Sequence, residues 1–369
     1  MNILIVGEYS AFAKHLKHGF VQLGHKVTVV TNGDGFKKLE AEKDDIKYST
    51  PKDFSILGKR LWGSHRVLNP FENRRLMKKV DCLPALELII VVNAVFVSSS
   101  FWQVGVALGY IRKCKKNGTK IILSSCGDDP ANHIYYHELK YFKNMFPNGI
   151  QRYSKRDESK YLKLIKLSDI IIPTSYEYYY CLQKYLKDKE LSTPCSNVIP
   201  VPITIENVDV SSCKGRKIFI FHGIIRSSDK GTPYFVEALE RIKRDYSDKA
   251  EVIIDGKKPY NEYLKLLQKI DVLLDNTNSY DMGVNSNLGL MYGKVVLSGN
   301  EPEAEENMAL GKSPVINAKP DVDYLYDVLK DLVLNSEKVD RIKQESRDFA
   351  VKHLDANVIA KRYLALINK

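Results

Sequence analysis

An α/β protein built as two domains, each with its own parallel sheet, is what three observations predict. The chain has 369 residues, 44% of them hydrophobic, which is enough for two separate cores. Short apolar runs alternate with amphipathic stretches of helical period, the pattern of repeated β-loop-α units. The segment VIPVPITIENVDVSSCKGRK, at 198–217, carries prolines, loses helical period and separates two halves that each open on an apolar strand. It reads as the linker, giving domains at 1–205 and 206–353, with about 354–369 packing back on the first.

Taken in order, residues 3–6 form a buried strand, Gly7-Glu8-Tyr9-Ser10 the turn into a helix over about 11–23, and 27–30 a second strand. This βαβ opening is of Rossmann type but lacks GxGxxG, which argues against a dinucleotide. The loop Asn32-Gly33-Asp34-Gly35 ends the second strand at the same sheet edge. A turn accounts for its glycines, and its position makes Asp34 a candidate ligand contact. Strands follow at 88–92 and 120–123, with a helix over 101–117 between them. The second of these strands runs into SSCGDDPANH. Asp128 and Asp129 thus stand at a strand's carboxyl end, where adjacent carboxylates orient sugar hydroxyls or accept a proton. Alternatively, Asp129 caps the helix that Pro130 opens. His133 and His137 share a helical face, but no third ligand accompanies them and HExxH is absent, so a metal site is not indicated. A helix at 158–167, a strand at 170–173 and a tyrosine-rich helix from Tyr176 complete the first half.

The second half opens on a strand at 218–221. It runs through Gly223 into a loop with Arg226 and Lys230-Gly231, then a helix from Pro233 whose Phe235, Ala238, Leu239 and Ile242 face inward. Arginine and lysine beside a helix amino terminus make an anion clamp. A strand at 251–254 and a helix at 260–269 lead to IDVLLDNTNSYDMGVNSNLGLMYGKVVLSGNEPE, residues 270–303. That stretch reads as a strand (272–274), a polar loop with Gly283, Asn285 and Asn287, a short helix (288–292) and a strand (295–297). Parallel sheets place ligands beyond the carboxyl ends of their strands. The helix after Gly283 aims unpaired N–H groups at that crevice, suiting a phosphate or a sugar hydroxyl. Glu301 and Glu303 follow, then a strand at 315–317 and amphipathic helices at 337–353 and 356–367.

Charge is unevenly divided. Residues 1–205 hold 31 Lys+Arg against 19 Asp+Glu, net +12, and residues 206–369 hold 25 against 26, net −1, summing to +11. Much of the excess lies between Lys52 and Lys79, interleaved with aliphatic and aromatic residues. That mixture adsorbs to an anionic leaflet or, alternatively, covers the sheet as a solvated helix pair. No nucleic-acid motif accompanies it, and the phosphate-facing features lie in the neutral half, which argues against nucleic acid as a partner. The longest apolar stretch, 88–97, is too short to span a bilayer, and the opening MNILIVGEYS lacks a basic leader; a soluble, cytoplasmic chain is predicted. Six scattered cysteines without CxxC pairing indicate neither a disulfide scaffold nor zinc.

Four of these stretches together resemble the retaining glycosyltransferases of the B-type fold, whose two Rossmann-like domains face a central cleft. HGIIRSSDKG looks like the family's Gly-Arg…Lys-Gly loop, and GVNSNLGLMYGKVVLSG like its glycine loop, helix and Gly-Lys-Pro-Val-Val strand. MNILIVGEYSAFAKHLKHGFVQLGHKVTVVT looks like its opening, and SRDFAVKHLDANVIAKRYLALI like its closing helix, which crosses back to the first domain. The resemblance implies transfer of a sugar from a nucleotide-diphosphate donor, without metal, to a saccharide or lipid-linked saccharide in polysaccharide biosynthesis. It implies donor contacts at Gly7, Arg226, Lys230, Gly231, Tyr280, Gly283, Val284, Asn285 and Asn287. Acceptor contacts would fall at Glu8, Tyr9, Asp34 and Asp129, with Asp128 orienting the acceptor first and acting as a base second. The chain departs from the family where two glutamates usually stand eight positions apart: Tyr280 and Leu288 occupy those places. The Arg-to-Lys spacing is also one shorter. Asp281, Asn285 or Glu301 would then supply the missing polar contact, Glu301 being the expected catalytic carboxylate. Two other readings remain open: a non-catalytic sugar-nucleotide or saccharide-binding subunit, and a nucleotide-sugar epimerase or hydrolase of the same fold.

Overall fold

The structure, a computed structural model, describes residues 1–34, 41–51, 55–56, 59–60, 63, 65–100, 102–150, 153–224, 230–256 and 260–368. In the first half, β1 (Asn2–Val6), α1 (Phe12–Gln22), β2 (Lys26–Thr31) and β3 (Ile46–Lys47) are followed by a ribbon of β4 (Ser55–Ile56) and β5 (Lys59–Arg60). Next come α2 (His65–Asp81), β6 (Leu88–Val91), a second ribbon of β7 (Val97–Ser98) and β8 (Val106–Ala107), then α3 (Leu108–Lys116) and β9 (Lys120–Ser125). Helices α4 (Pro130–Tyr135), α5 (Phe142–Met145) and α6 (Lys155–Leu167), strand β10 (Ile170–Pro173) and helix α7 (Tyr176–Asp188) close this half. Its six-stranded sheet has the order β3-β2-β1-β6-β9-β10 and every pairing is parallel. The strands read as continuous Ile, Leu and Val because helices cover both faces; Ile3 to Val6 and Leu88 to Val91 are all buried.

The second half runs β11 (Ile218–Ile224), α8 (Thr232–Asp245), β12 (Ala250–Gly256), α9 (Tyr260–Lys269), β13 (Val272–Leu274), α10 (Val284–Met291) and β14 (Val295–Ser298). It continues through α11 (Pro302–Met308), β15 (Ile316–Asn317), α12 (Val322–Leu334) and α13 (Ser336–Phe349) to α14 (Ala356–Ile367). Its five-stranded sheet is also parallel, in the order β12-β11-β13-β14-β15. A buried ion cluster pins the amino ends of two of its strands. Asp271, fully buried just before β13, takes both Arg216 guanidinium nitrogens at 2.6 and 2.8 Å and Lys343 Nζ at 2.7 Å. Burial alone would raise the Asp271 carboxyl, but these two cations hold it below the usual range.

Residues 189–217 carry no helix and no ladder strand. They touch the first sheet through an Ile171–Cys195 bridge and the end of the chain through an Ile203–Asp355 bridge. After a π turn at Ala350–Leu354, α14 crosses to the first half and packs on α1. Gly19 makes that approach feasible, since a β-carbon there would lie 2.0 Å from the Ala356 carbonyl oxygen. The Tyr363 hydroxyl, fully buried, meets Ser124 Oγ at 2.8 Å at the end of β9.

Local structure departs from the sequence reading in three places, and in the first the β4-β5 ribbon and the single helix α2 stand where a helix pair was one reading. The helix expected over 101–117 begins only at Leu108, because Val106–Ala107 pair with Val97–Ser98 instead of continuing the helix. The helix expected at 288–292 starts four residues earlier, at Val284, directly after Gly283. No helix among the described residues is long and apolar enough to cross a membrane. All six cysteines are free thiols.

Candidate functional site

Where the strand order of an open parallel sheet reverses, two neighbouring loops leave in opposite directions and a crevice opens. In the second sheet the reversal lies between β11 and β13. The loop after β11 ends at Lys230-Gly231, and the loop after β13 begins at Asp275. Gly231 caps α8 with φ of 66°, and a β-carbon there would lie 1.9 Å from Thr277 Oγ1, so only glycine brings the two loops this close. The Lys230 carbonyl accepts from Thr277 N at 3.2 Å. The Lys230 ammonium is ion-paired with Asp275, which also accepts from Asn285 Nδ2 at 3.0 Å and Ser286 Oγ at 2.6 Å.

Asp275 is 4% exposed. Burial pushes its carboxyl up, and the Lys230 charge with the Ser286 and Asn285 hydrogen bonds more than offsets this, leaving it below the usual range. Because Asn285 and Ser286 belong to the first turn of α10, the network fixes Lys230 beside the helix end that Gly283 caps. Asn285 also accepts from the Tyr263 hydroxyl. Behind Lys230, His222 is buried between the Leu274 carbonyl (Nδ1, 3.0 Å) and Thr232 Oγ1 (Nε2, 3.0 Å). A carbonyl only accepts, so Nδ1 carries the proton, and burial keeps the ring neutral by lowering its pKa. Thus Lys230, Gly231, Gly283, Val284 and Asn285 come together. Arg226 lies outside the described residues. The sequence reading missed Asp275; its one signal was a carboxylate at the end of an otherwise apolar strand.

In the first sheet the reversal lies between β1 and β6, and a cavity of about 1030 Å³ opens there. Tyr9 from the turn after β1 and Asp34 from the loop after β2 line it, together with Phe96, Trp102, Arg156 and Lys160. Tyr9 packs on Phe96 with ring centroids 4.9 Å apart, and the Phe96 ring occupies the space above Gly7, 2.0 Å from where a β-carbon would stand. Asp34 accepts from Ser10 N at 2.8 Å. Asp128 is exposed beside Tyr9, its Oδ1 accepting from the Tyr136 hydroxyl at 2.7 Å.

Six residues expected at ligands are committed elsewhere. Glu8 is 3% exposed and accepts from Ala13 N at 3.2 Å and Lys14 N at 3.0 Å; its carboxylate caps α1, which has no side-chain cap of its own. Asp129 is fully buried at the start of α4, with Ser125 Oγ at 2.9 Å and Asn132 Oδ1 closing on its N–H at 2.9 Å. The capping reading is therefore the one realised. Burial pushes its carboxyl up to about 7. Asn287 is 1% exposed and donates to the Val201 carbonyl at 2.9 Å instead of facing the crevice.

Tyr280 and Glu301 join the two halves. The Tyr280 hydroxyl accepts from Lys140 N at 2.9 Å, and its ring packs between Tyr141 and Tyr176. Glu301 accepts from Lys140 Nζ at 2.9 Å, the Tyr141 hydroxyl at 2.5 Å and Asn317 Nδ2 at 3.1 Å. Burial favours its neutral form, but these donors more than compensate and lower its pKa, so it is held ionised as a latch between the halves. Asp281 likewise accepts from Tyr176 N at 2.7 Å beside Glu177, which accepts from Tyr280 N at 2.8 Å. Sequence reasoning had no access to the contacts between the halves because each pairs residues more than 100 positions apart. Among the described residues no group of three or more His, Cys, Asp or Glu could hold a metal ion. His133 packs on Tyr153, and His137 Nδ1 bonds to the Ile134 carbonyl.

No protein-family model matches the sequence, and no curated protein sequence does. Solved structures match over the whole chain. A glycosyltransferase from Rickettsia africae is 12% identical with a TM-score of 0.57, over 99% of this chain and 97% of that one. HepE of Anabaena, in complex with UDP and glucose, is 12% identical with a TM-score of 0.59, over 100% and 99%. Sucrose-phosphate synthase from Thermosynechococcus elongatus is 11% identical with a TM-score of 0.60, over 100% and 98%. The fold is therefore that of the B-type glycosyltransferases, with two Rossmann-like domains and a closing helix that crosses back to the first.

Proposed function

We propose that this protein is a glycosyltransferase. The second sheet's crevice would hold the diphosphate of a nucleotide sugar, and the first sheet's cavity would present the acceptor hydroxyl. The observation that carries this is the placement of Lys230 and the first turn of α10 at one switch point, with a roomy polar and aromatic cavity at the other. Bond breaking at the donor's anomeric carbon leaves charge on the diphosphate. A fixed ammonium and unpaired helix N–H groups stabilise charge developing there, the contribution that usually dominates such catalysis. Arg226, from the same loop, would add a second cation. In a retaining transfer the leaving phosphate itself takes the acceptor's proton, so no separate base is needed, and Asp128 would orient the acceptor. Binding of UDP in a neighbouring structure of this fold supports testing UDP first.

The acceptor we favour is a lipid-linked saccharide at an anionic membrane surface, in polysaccharide assembly. Helix α2 supports this reading. It exposes Val67, Leu68 and Phe71, the last 71% exposed, next to Arg74, Arg75, Lys78 and Lys79. Sedimentation with vesicles containing anionic lipid should retain the protein, and vesicles of neutral lipid should not.

One observation favours a second reading, a sugar-nucleotide-binding subunit without turnover. Asp281 and Glu301, two of the three groups suited to replace the missing glutamates, are tied up between the domains. The deciding experiment combines UDP and UDP-sugar titration with a transfer assay across saccharide acceptors. Donor binding with product formation establishes the transferase, donor binding without product the subunit, and no nucleotide binding refutes both.

A further inference from the structure

The cavity of the first domain holds two cations and two carboxylates, and they differ in what they already touch. Asp34 accepts from Ser10 N at 2.8 Å, and Asp157 accepts from Ser154 Oγ at 2.6 Å and Gln103 Nε2 at 3.3 Å. Neither cation has a hydrogen bond to any described residue. Arg156 is exposed at the amino end of α6. Lys160 is 5% exposed; among the described residues its ion-pair partner is Asp157 Oδ1, at 3.7 Å, and the charge of Asp129 also favours its ammonium against the cost of burial. The two are four residues apart on a thirteen-residue helix, hence on one face, and both line the cavity. The Lys160 stem is buried while its ammonium lines the cavity, and a cation placed there without an acceptor within hydrogen-bonding distance suits an incoming anionic group. The positive end of the α6 dipole adds to the same potential. Trp102, which also lines the cavity, is 54% exposed, and Tyr9 and Phe96 supply further ring faces of the kind against which sugar rings pack.

From this we infer that the cavity takes an acidic sugar, one bearing a carboxylate or a phosphate, with the anionic group held by Arg156 and Lys160. The inference specifies the acceptor in the proposed transfer and rests on that reading only for the word acceptor. The binding itself is measured without donor.

The test uses the full chain and three probes: glucuronic acid, glucose 6-phosphate and glucose, titrated by ligand-observed NMR. At least one of the two acids should bind about tenfold or more tightly than glucose, as one charge-assisted hydrogen bond requires. Lys160→Met and Arg156→Gln should each reduce that preference, with glucose binding little changed. Arg156 is exposed, so its variant keeps the test informative if Lys160→Met does not fold. Equal affinity for all three probes, or a preference that survives in Arg156→Gln and in any folded Lys160 variant, overturns the inference. UDP is titrated in parallel. Acid selectivity without UDP binding would leave the cavity assignment standing and remove the transferase, while UDP binding without acid selectivity would do the reverse.

Discussion

Lys230 is the residue on which the donor crevice most depends, and its ion pair gives a clean way to test it. Lys230→Met keeps most of the stem and deletes the charge. Asp275, 4% exposed, would then keep only Asn285 and Ser286 as donors. Breaking a buried pair by removing one partner costs about 3–5 kcal/mol, so the single variant is expected to be severely destabilised. Removing both charges from such a pair is close to neutral, so Lys230→Met combined with Asp275→Asn should recover most of the lost stability. What the double variant should not recover is nucleotide affinity. A hydrogen bond from an ammonium to a phosphate oxygen contributes about 1.5–3 kcal/mol, which is roughly a 10- to 150-fold weaker Kd for UDP. Urea unfolding of the three proteins, followed by calorimetric titration of UDP into wild type and double variant, reads the two effects separately. If the double variant folds and binds UDP with the wild-type Kd, Lys230 does not meet the diphosphate and the donor assignment fails.

Other perturbations address how the halves are held. Glu301→Gln removes an ionised acceptor shared by Lys140 and Tyr141; because Lys140 is half exposed, about 1–3 kcal/mol of closure should be lost. Small-angle scattering should then show a larger radius of gyration, and an unchanged profile would mean Glu301 is no latch. The Glu177 and Asp281 carboxyls meet across the same interface. Burial raises both, and the charge of Glu177 further raises Asp281. Their protons are held more tightly in the folded, closed molecule than in the unfolded one. Stability from this pair is therefore greatest at low pH and falls as pH rises through the raised values. Glu177→Gln should flatten that decline in denaturation curves taken from the ordinary carboxylate range upward; an identical slope in the variant contradicts the assignment. Asp271→Asn leaves Arg216 and the fully buried Lys343 without their anion, at a cost of about 3–5 kcal/mol. A change under about 1 kcal/mol in urea unfolding would show that the cluster is not a stability determinant.

The two-sheet α/β class was legible from residue order, because a strand buried on both faces has to be a short unbroken apolar run and the helices between have to be amphipathic. Strands at Ile170–Pro173 and Val272–Leu274 and helices at Tyr260–Lys269 and Ala356–Ile367 begin and end where that pattern does. It also marked which loops leave the carboxyl ends of strands, and so brought Lys230, Asn285, Tyr9 and Asp34 into consideration. Which polar residues in those loops remain available to a ligand depends on contacts made in three dimensions. A carboxylate near a strand end looks the same in sequence whether it caps a helix as Glu8 and Asp129 do, latches two domains as Glu301 does, or neutralises a lysine as Asp275 does. The difference lies in partners that chain position does not encode, such as Lys140 for Glu301 and Tyr176 for Asp281. Burial then sets how strongly each carboxylate depends on those partners, since a charge removed from water needs a donor or a proton from whatever the fold places beside it.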